Sequence, residues 1–228
     1  RAVPRNIPPT LREAHLSLET ITPSERYRLL NQRLFQLRGG KPLRFEIEGR
    51  DQLCLIQSHL MTEAACTSLQ VHLMTSQANA ARHYNAMQAA SAAIVAISAN
   101  SPFLYGRRLW EETRIPAFES AVNLPGPRGV DGRHASRVTF GERYLKISMM
   151  DLFIENLDTY VPFLPMVSQS EREALVHLKL QNGTIWRWNR PIVHASSGKP
   201  PHLRIEIGAL ILLILVGQGL LLLHVEVR

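Results

Sequence analysis

The sequence lacks most of the marks by which a chain announces its chemistry. It has two cysteines, Cys54 and Cys66, in 228 residues. That is too few for a disulfide scaffold or a zinc site, and two buried free thiols in a reducing, cytoplasmic setting are expected. It has no run of lysine and arginine and no basic motif interleaved with aromatics, which make up only 7% of the chain. Nucleic acid is therefore not an expected partner. There is no Gly-x-Ser-x-Gly, Walker loop, dinucleotide fingerprint or His-Glu-x-x-His. An enzyme using ATP would have to hold phosphates by cations on a sheet, since it has no glycine-rich loop to do so. There is no internal repeat. The longest apolar stretch, Ala209 to Leu223, is broken by Gly217-Gln218-Gly219. As a helix it would span about 22 Å, short of the roughly 30 Å hydrocarbon core, so no membrane span is expected. A buried element or the product of a frame change fits it better. The opening RAVPRNIPPT is polar and is no signal peptide; it reads as the interior of a longer reading frame.

What is present is the composition of a folded domain. Hydrophobic residues make up 45% and charged residues 20%, enough for one domain with a substantial core or a large piece of a bigger one. Lysine and arginine number 26 against 19 acidic residues, a formal charge of +7. Such an excess admits anionic partners, although a solvated surface explains it equally.

Periodicity sets out the elements. Thr22-Pro23-Ser24-Glu25 is a helix start with a capping box, and Tyr27, Leu30, Leu34 and Leu37 follow at helical spacing to a stop at Gly39-Gly40. Leu43, Phe45 and Ile47 alternate with charged residues, as in a half-buried strand. A second strand is expected at 68–74, and an alanine-rich helix from Ser76 to Ala99 with Tyr84, Met87, Ile94 and Ile97 packed. Residues 124–135 read as a Pro/Gly/Arg-rich mobile loop. A helix from Ser148 would pack Met149, Phe153, Leu157 and Tyr160. Val176, Leu178 and Leu180 alternate ahead of Asn182-Gly183, which predicts a strand, a type I′ turn and a return strand from Thr184 to Arg190. A last strand, His202 to Ile207, separates Leu203, Ile205 and Ile207 from Arg204 and Glu206. Antiparallel strands interrupted by helices make the class α+β, with helices on one face of a sheet.

The polar sides of these strands are the candidate site. Gln70, His72, Arg187, Asn189, Arg204 and Glu206 are expected to look into one cleft, against the plainer alternative of a wet sheet face. Arg107, Arg108, Trp110 and Arg114 after Asn100-Ser101-Pro102 suit carboxylate or phosphate recognition. Trp186 and Trp188 beside Arg187, Asn189 and Arg190 mark a second cluster, although aromatic cross-strand packing accounts for the tryptophans as well.

Several blocks, in this order, resemble the glutamate–cysteine ligase family of the plant and bacterial carboxylate–amine ligase type. They are PTLR from Pro9, YRLLN from Tyr27, EAACTSLQVHL from Glu63, ANSPFLYGRRLWEETR from Ala99, FGERY from Phe140, NGTIWRWNRP from Asn182 and HLRIE from His202. The resemblance runs from about residue 7 to residue 206. It implies a glutamine-synthetase-like funnel of antiparallel strands and ATP- and Mg²⁺-dependent amide formation. The glutamate side-chain carboxylate would take the γ-phosphoryl group, and cysteine or another amine would attack the acyl phosphate. It also implies residue roles: Arg114 an anionic clamp; Arg204 a phosphate partner; Gln70 and His72 facing nucleotide and metal; Arg108 and Trp110 near substrate and phosphates. Arg187, Asn189 and Arg190 lie in the matching hairpin; Glu206 is the implied metal ligand and Glu63 a second candidate.

The family pattern also implies an early strand with paired glutamates ahead of Pro9 and a polar continuation after Glu206; neither is in this sequence. Residues 1–208 are therefore expected to be a partial catalytic domain with impaired activity, and 209–228 a hydrophobic tail of unclear origin. The competing readings are a non-catalytic module that binds an anionic ligand in a basic cleft, and a tail-anchored protein. Homo-oligomerisation stays open.

Overall fold

The computed structural model describes residues 7–68, 70–124, 136–164, 175–196, 199–208 and 226–227. The chain is α+β and divides into two compact units. Among the described residues the first holds 7–68, 98–124 and 136; the second holds 70–97, 137–164, 175–196, 199–208 and 226–227.

In the first unit, α1 (Glu25–Leu37) starts after Ser24 rather than Thr22, and Ser24 makes no side-chain cap. The predicted capping box is absent because Glu25 is the first helical residue, where its carboxylate reaches Arg28 one turn on. Leu30 and Leu34 are buried, and Gly39 and Gly40, at φ of 62° and 76°, end the helix in a conformation that side chains resist. Strand β1 (Leu43–Glu48) alternates buried and exposed as expected. It pairs antiparallel with β2 (Gln52–Gln57), from Leu43 opposite Gln57 to Glu48 opposite Gln52. The sequence reading did not place β2, since Leu53-Cys54-Leu55-Ile56 is a continuous apolar run with no alternation to see. Next come α2 (Met61–Ala65), a small hairpin of β4 (Phe103–Leu104) and β5 (Arg107–Arg108), and α4 (Arg114–Ala121). Ile7, Ile47, Leu53, Leu104, Leu109 and Ala117 form the core.

The second unit is built on a sheet ordered β10-β3-β9-β8. Strand β3 (Val71–Thr75) is antiparallel to β9 (Lys199–Ile207), β9 is antiparallel to β8 (Asn189–Ser196), and the two-residue β10 (Glu226–Val227) lies parallel to β3. One face of this sheet packs on α3 (Ala80–Ser98) and on Leu145, Met149 and Leu152 at the start of α5 (Met150–Thr159). A short parallel pair joins β6 (Val138–Thr139) to β7 (Trp186–Arg187).

Four expectations are corrected. Residues 176–182 are a helix, α6 (Val176–Asn182), not a strand. Five residues of VHLKL satisfy a period of two and a helical period alike. Asn182-Gly183 ends that helix: Gly183 has φ −71°, not the positive φ of a type I′ turn, and its N–H bonds Lys179 O at 2.8 Å. Ile97 is 81% exposed and Leu157 70% exposed, so neither packs on the core. Cys54 is exposed, not buried. The loop at 125–135 and the stretch 209–225 lie outside the described residues.

Candidate functional site

Successive residues of a strand point to opposite faces. On β9, Ile205, Ile207 and Leu203 turn toward α3, with Leu73 of β3 beside them. The opposite face therefore carries His202, Arg204 and Glu206. Register extends it sideways into three rows: His72, Glu206 and Arg190; then Met74, Arg204 and Ile192; then His202 and His194.

The first row is a charge cluster. Glu206 is only 7% exposed, and its Oε1 accepts Arg190 Nη2 at 2.6 Å and Gln70 Nε2 at 3.3 Å. His72 Nε2 stands 3.6 Å from Oε2. A buried carboxylate is stable in such a place only when a cation shares it, and Arg190 does so here. In the second row Arg204 brings a further guanidinium whose buried Nε has no hydrogen-bond partner. A buried donor left open calls for an acceptor. In the third row the rings of His194 and His202 stack, with centroids 4.7 Å apart.

This donor set suits an anion. Arg190 offsets Glu206, and the charge on Arg204 remains for oxygens such as those of a phosphate. Magnesium is usually held by one or two carboxylates together with substrate phosphates and waters, and Glu206 would supply one such carboxylate. Glu206 is the one carboxylate among the described side chains of these rows, and no group of three His, Cys, Asp or Glu that would hold a metal occurs among the described residues.

Two expected members do not look into this face. Asn189 stands opposite Ile207 in the β8–β9 register, so it points toward α3, where its Nδ2 donates to Gln88 Oε1 at 2.6 Å and Ser91 Oγ at 2.9 Å. Arg187 belongs to β7, and its side chain is fully buried. Its Nη2 donates to Glu155 Oε1 at 2.7 Å and Asn156 Oδ1 at 2.9 Å. Gly141, at φ 93°, lies directly against it: a Cβ there would fall 2.5 Å from Arg187 Nη1. The two tryptophans are explained by packing, Trp186 edge-on to Phe163 at 6.0 Å and Trp188 beside Phe140 at 6.3 Å.

The remaining candidates belong to the first unit. Arg114 opens α4 and is buried; its Nε donates to Glu112 Oε1 at 3.0 Å, while Glu112 Oε2 accepts the Asn100 N–H at 3.2 Å. Arg108 is exposed, with its guanidinium 4.0 Å from Glu111 and its backbone N–H on Asp51 Oδ2 at 2.8 Å. Trp110 donates through Nε1 to Glu48 O at 2.7 Å. Glu63 lies in α2, where burial pushes its carboxyl up to about 6. One turn on, burial and then the Glu63 carboxylate push the Cys66 thiol up, and Sγ donates to Thr62 O at 3.2 Å.

Comparison with known families settles the ancestry. The model of glutamate-cysteine ligase family 2 matches residues 8–206, ending on Glu206 itself. The chain belongs to this family. No curated protein and no solved structure matched it. Membership in glutamate-cysteine ligase family 2 makes the fold that of a ligase-type enzyme, and the family match covers both units. Within this ligase-family chain, sequence reading missed the partners that hold the arginines. Glu112 was within reach, two positions from Arg114 in a block already singled out. Glu155 was not, because nothing in its spacing links it to Arg187, 32 residues away. Arg137 was also missed. It is buried, donates through Nη1 to Thr184 O at 3.0 Å, and sits over the rings of Tyr160 and Phe163; burial pulls its guanidinium down to about 10.

Proposed function

We propose that this chain serves ATP-dependent joining of the glutamate side-chain carboxylate to an amine, cysteine or another, in γ-glutamyl peptide synthesis. The polar face of β3, β9 and β8 would take the anionic end of the nucleotide. One observation carries the reading: Arg204 presents a buried Nε without a hydrogen-bond partner beside a carboxylate that Arg190 already balances. In the reaction, a glutamate carboxylate oxygen bonds to the γ-phosphorus as the bond to ADP breaks. The amine nitrogen then attacks the acyl carbon, phosphate departs, and the amine's proton goes to solvent. Arg204 would hold phosphoryl oxygens as negative charge builds on them. Gln70 and His72 would fix the Glu206 carboxylate. Magnesium bound to the nucleotide would supply further neutralisation.

The test is ADP release by the purified chain with Mg-ATP, glutamate and an amine, using glutamate labelled with oxygen-18 in its side-chain carboxylate. Glutamate-dependent ADP with label passing to phosphate supports the reading. Nucleotide hydrolysis indifferent to glutamate, or no nucleotide binding at all, contradicts it.

A further inference from the structure

The third row of the polar face is left unused by phosphate binding, and its chemistry differs from that of the first. His202 of β9 stands directly opposite His194 of β8, and their rings stack with centroids 4.7 Å apart and planes 28° from parallel. Arg204 lies two residues along β9 from His202 and so on the same face. In its own row Arg204 is flanked by Met74 of β3 and Ile192 of β8. Met74, Ile192 and His202 are half-buried, and His194 is exposed. Over the four residues from Glu206 to His202, about 13 Å of strand, the face therefore passes from charge to apolar and aromatic surface, with Arg204 at the boundary.

We infer that this third row is the platform on which the heteroaromatic base of the nucleotide stacks, and that it recognises the face of the base and not its edge, so that purine triphosphates other than ATP are taken as well. This rests on the proposed binding of the triphosphate at Arg204. Three features choose the ligand. A nucleotide joins a polyanion to a flat, weakly polar ring, and the sheet offers the matching surfaces in that order: a guanidinium whose buried Nε has no hydrogen-bond partner, then Met74 and Ile192, then two imidazoles. Histidine rings are planes on which bases stack, and two rings already held against each other add a third with little further loss of side-chain freedom. Lastly, the groups that would read the edge of a base are engaged. β9 is paired on both sides from Leu203 to Ile207, so its backbone N–H and C=O groups belong to the ladder. Stacking alone tolerates any base, since each has a π face. The plainer role of the imidazoles, packing two strands together, predicts a loss of stability with no effect tied to the base.

Calorimetric titration of the full chain with Mg-ATP, Mg-GTP and tripolyphosphate tests this. The two nucleotides should bind within about threefold of each other. His202→Ala should weaken both about tenfold and leave tripolyphosphate unchanged, and His202→Phe should restore them. Should His202→Ala disturb folding, His194→Ala at the exposed position replaces it with the same pattern, and His194→Trp should tighten both nucleotides. Equal losses for nucleotides and tripolyphosphate, nucleotide affinity indifferent to both histidines, or Mg-GTP held more than about tenfold weaker than Mg-ATP overturns the inference and leaves the phosphate site at Arg204 standing. Failure of the folded wild-type chain to bind any of the three ligands overturns the inference and the phosphate site together.

Discussion

Arg190 and Glu206 face each other across antiparallel strands, and the guanidinium Nη2 donates to the carboxylate Oε1 at 2.6 Å. Each is mostly withdrawn from water, so removing one strands the other. Arg190→Ala and Glu206→Ala should each cost about 2 kcal/mol, and the double variant less than their sum, with a coupling of about 1–3 kcal/mol. Urea unfolding of the four proteins measures the cycle; full additivity would show that the pair does not interact.

The Arg187–Glu155 pair is a structural device. Arg187 is wholly buried, and its neighbours are its own chain's Glu155, Asn156 and Gly141. Glu155→Ala leaves a buried guanidinium unpaired and should cost about 3–5 kcal/mol, whereas Arg187→Met, which also removes the charge, should cost less. Denaturant midpoints decide the order, and equal losses would contradict it.

Glu63 gives stability a pH dependence of definite sign. Burial raises its carboxyl from 4.5 to about 6 in the folded chain. Folding thus favours the protonated acid: its contribution is complete below the unfolded value and is lost as pH rises through the folded one. The shift corresponds to about 2 kcal/mol above pH 7. Glu63→Gln should flatten the stability profile between pH 4.5 and 6 and exceed wild type at pH 8 by up to about that amount. A profile unchanged by the substitution would refute the assignment.

The two thiols should differ sharply in reactivity. Cys54 stands exposed on β2, while Cys66 is partly buried, its thiol held protonated by burial and by Glu63. A thiolate is the reactive species. An aromatic disulfide reagent should titrate one thiol promptly in the native chain and the second only on unfolding. Two prompt equivalents would contradict the placement of Cys66.

What the sequence disclosed followed from period. The six residues of β1 and the odd–even division of β9 were legible because a strand with one buried face writes its pattern every second residue. The sharing of a face by Gln70, His72, Arg204 and Glu206 followed from the same rule. Arg187 and Asn189 were misplaced because the chain changes strand at Trp188: β7 pairs with β6, and Asn189 begins β8 in register with the core-facing Ile207. A change of partner between adjacent residues leaves no mark in a pattern of alternation. The helix at 176–182 was misread because seven residues are too few to separate two periods.

The central claim is that cations on the polar face of β9 hold a polyphosphate, and calorimetric titration with magnesium-free tripolyphosphate and with Mg-ATP tests it most directly. Saturable, salt-sensitive binding of both is expected in the wild-type chain. Arg204→Ala should weaken both at least about tenfold, a loss of about 1.4 kcal/mol or more. Glu206→Gln, which removes a negative charge from the face, should tighten the magnesium-free ligand. Binding that Arg204→Ala leaves intact, or no binding by the folded wild-type chain, would contradict the account.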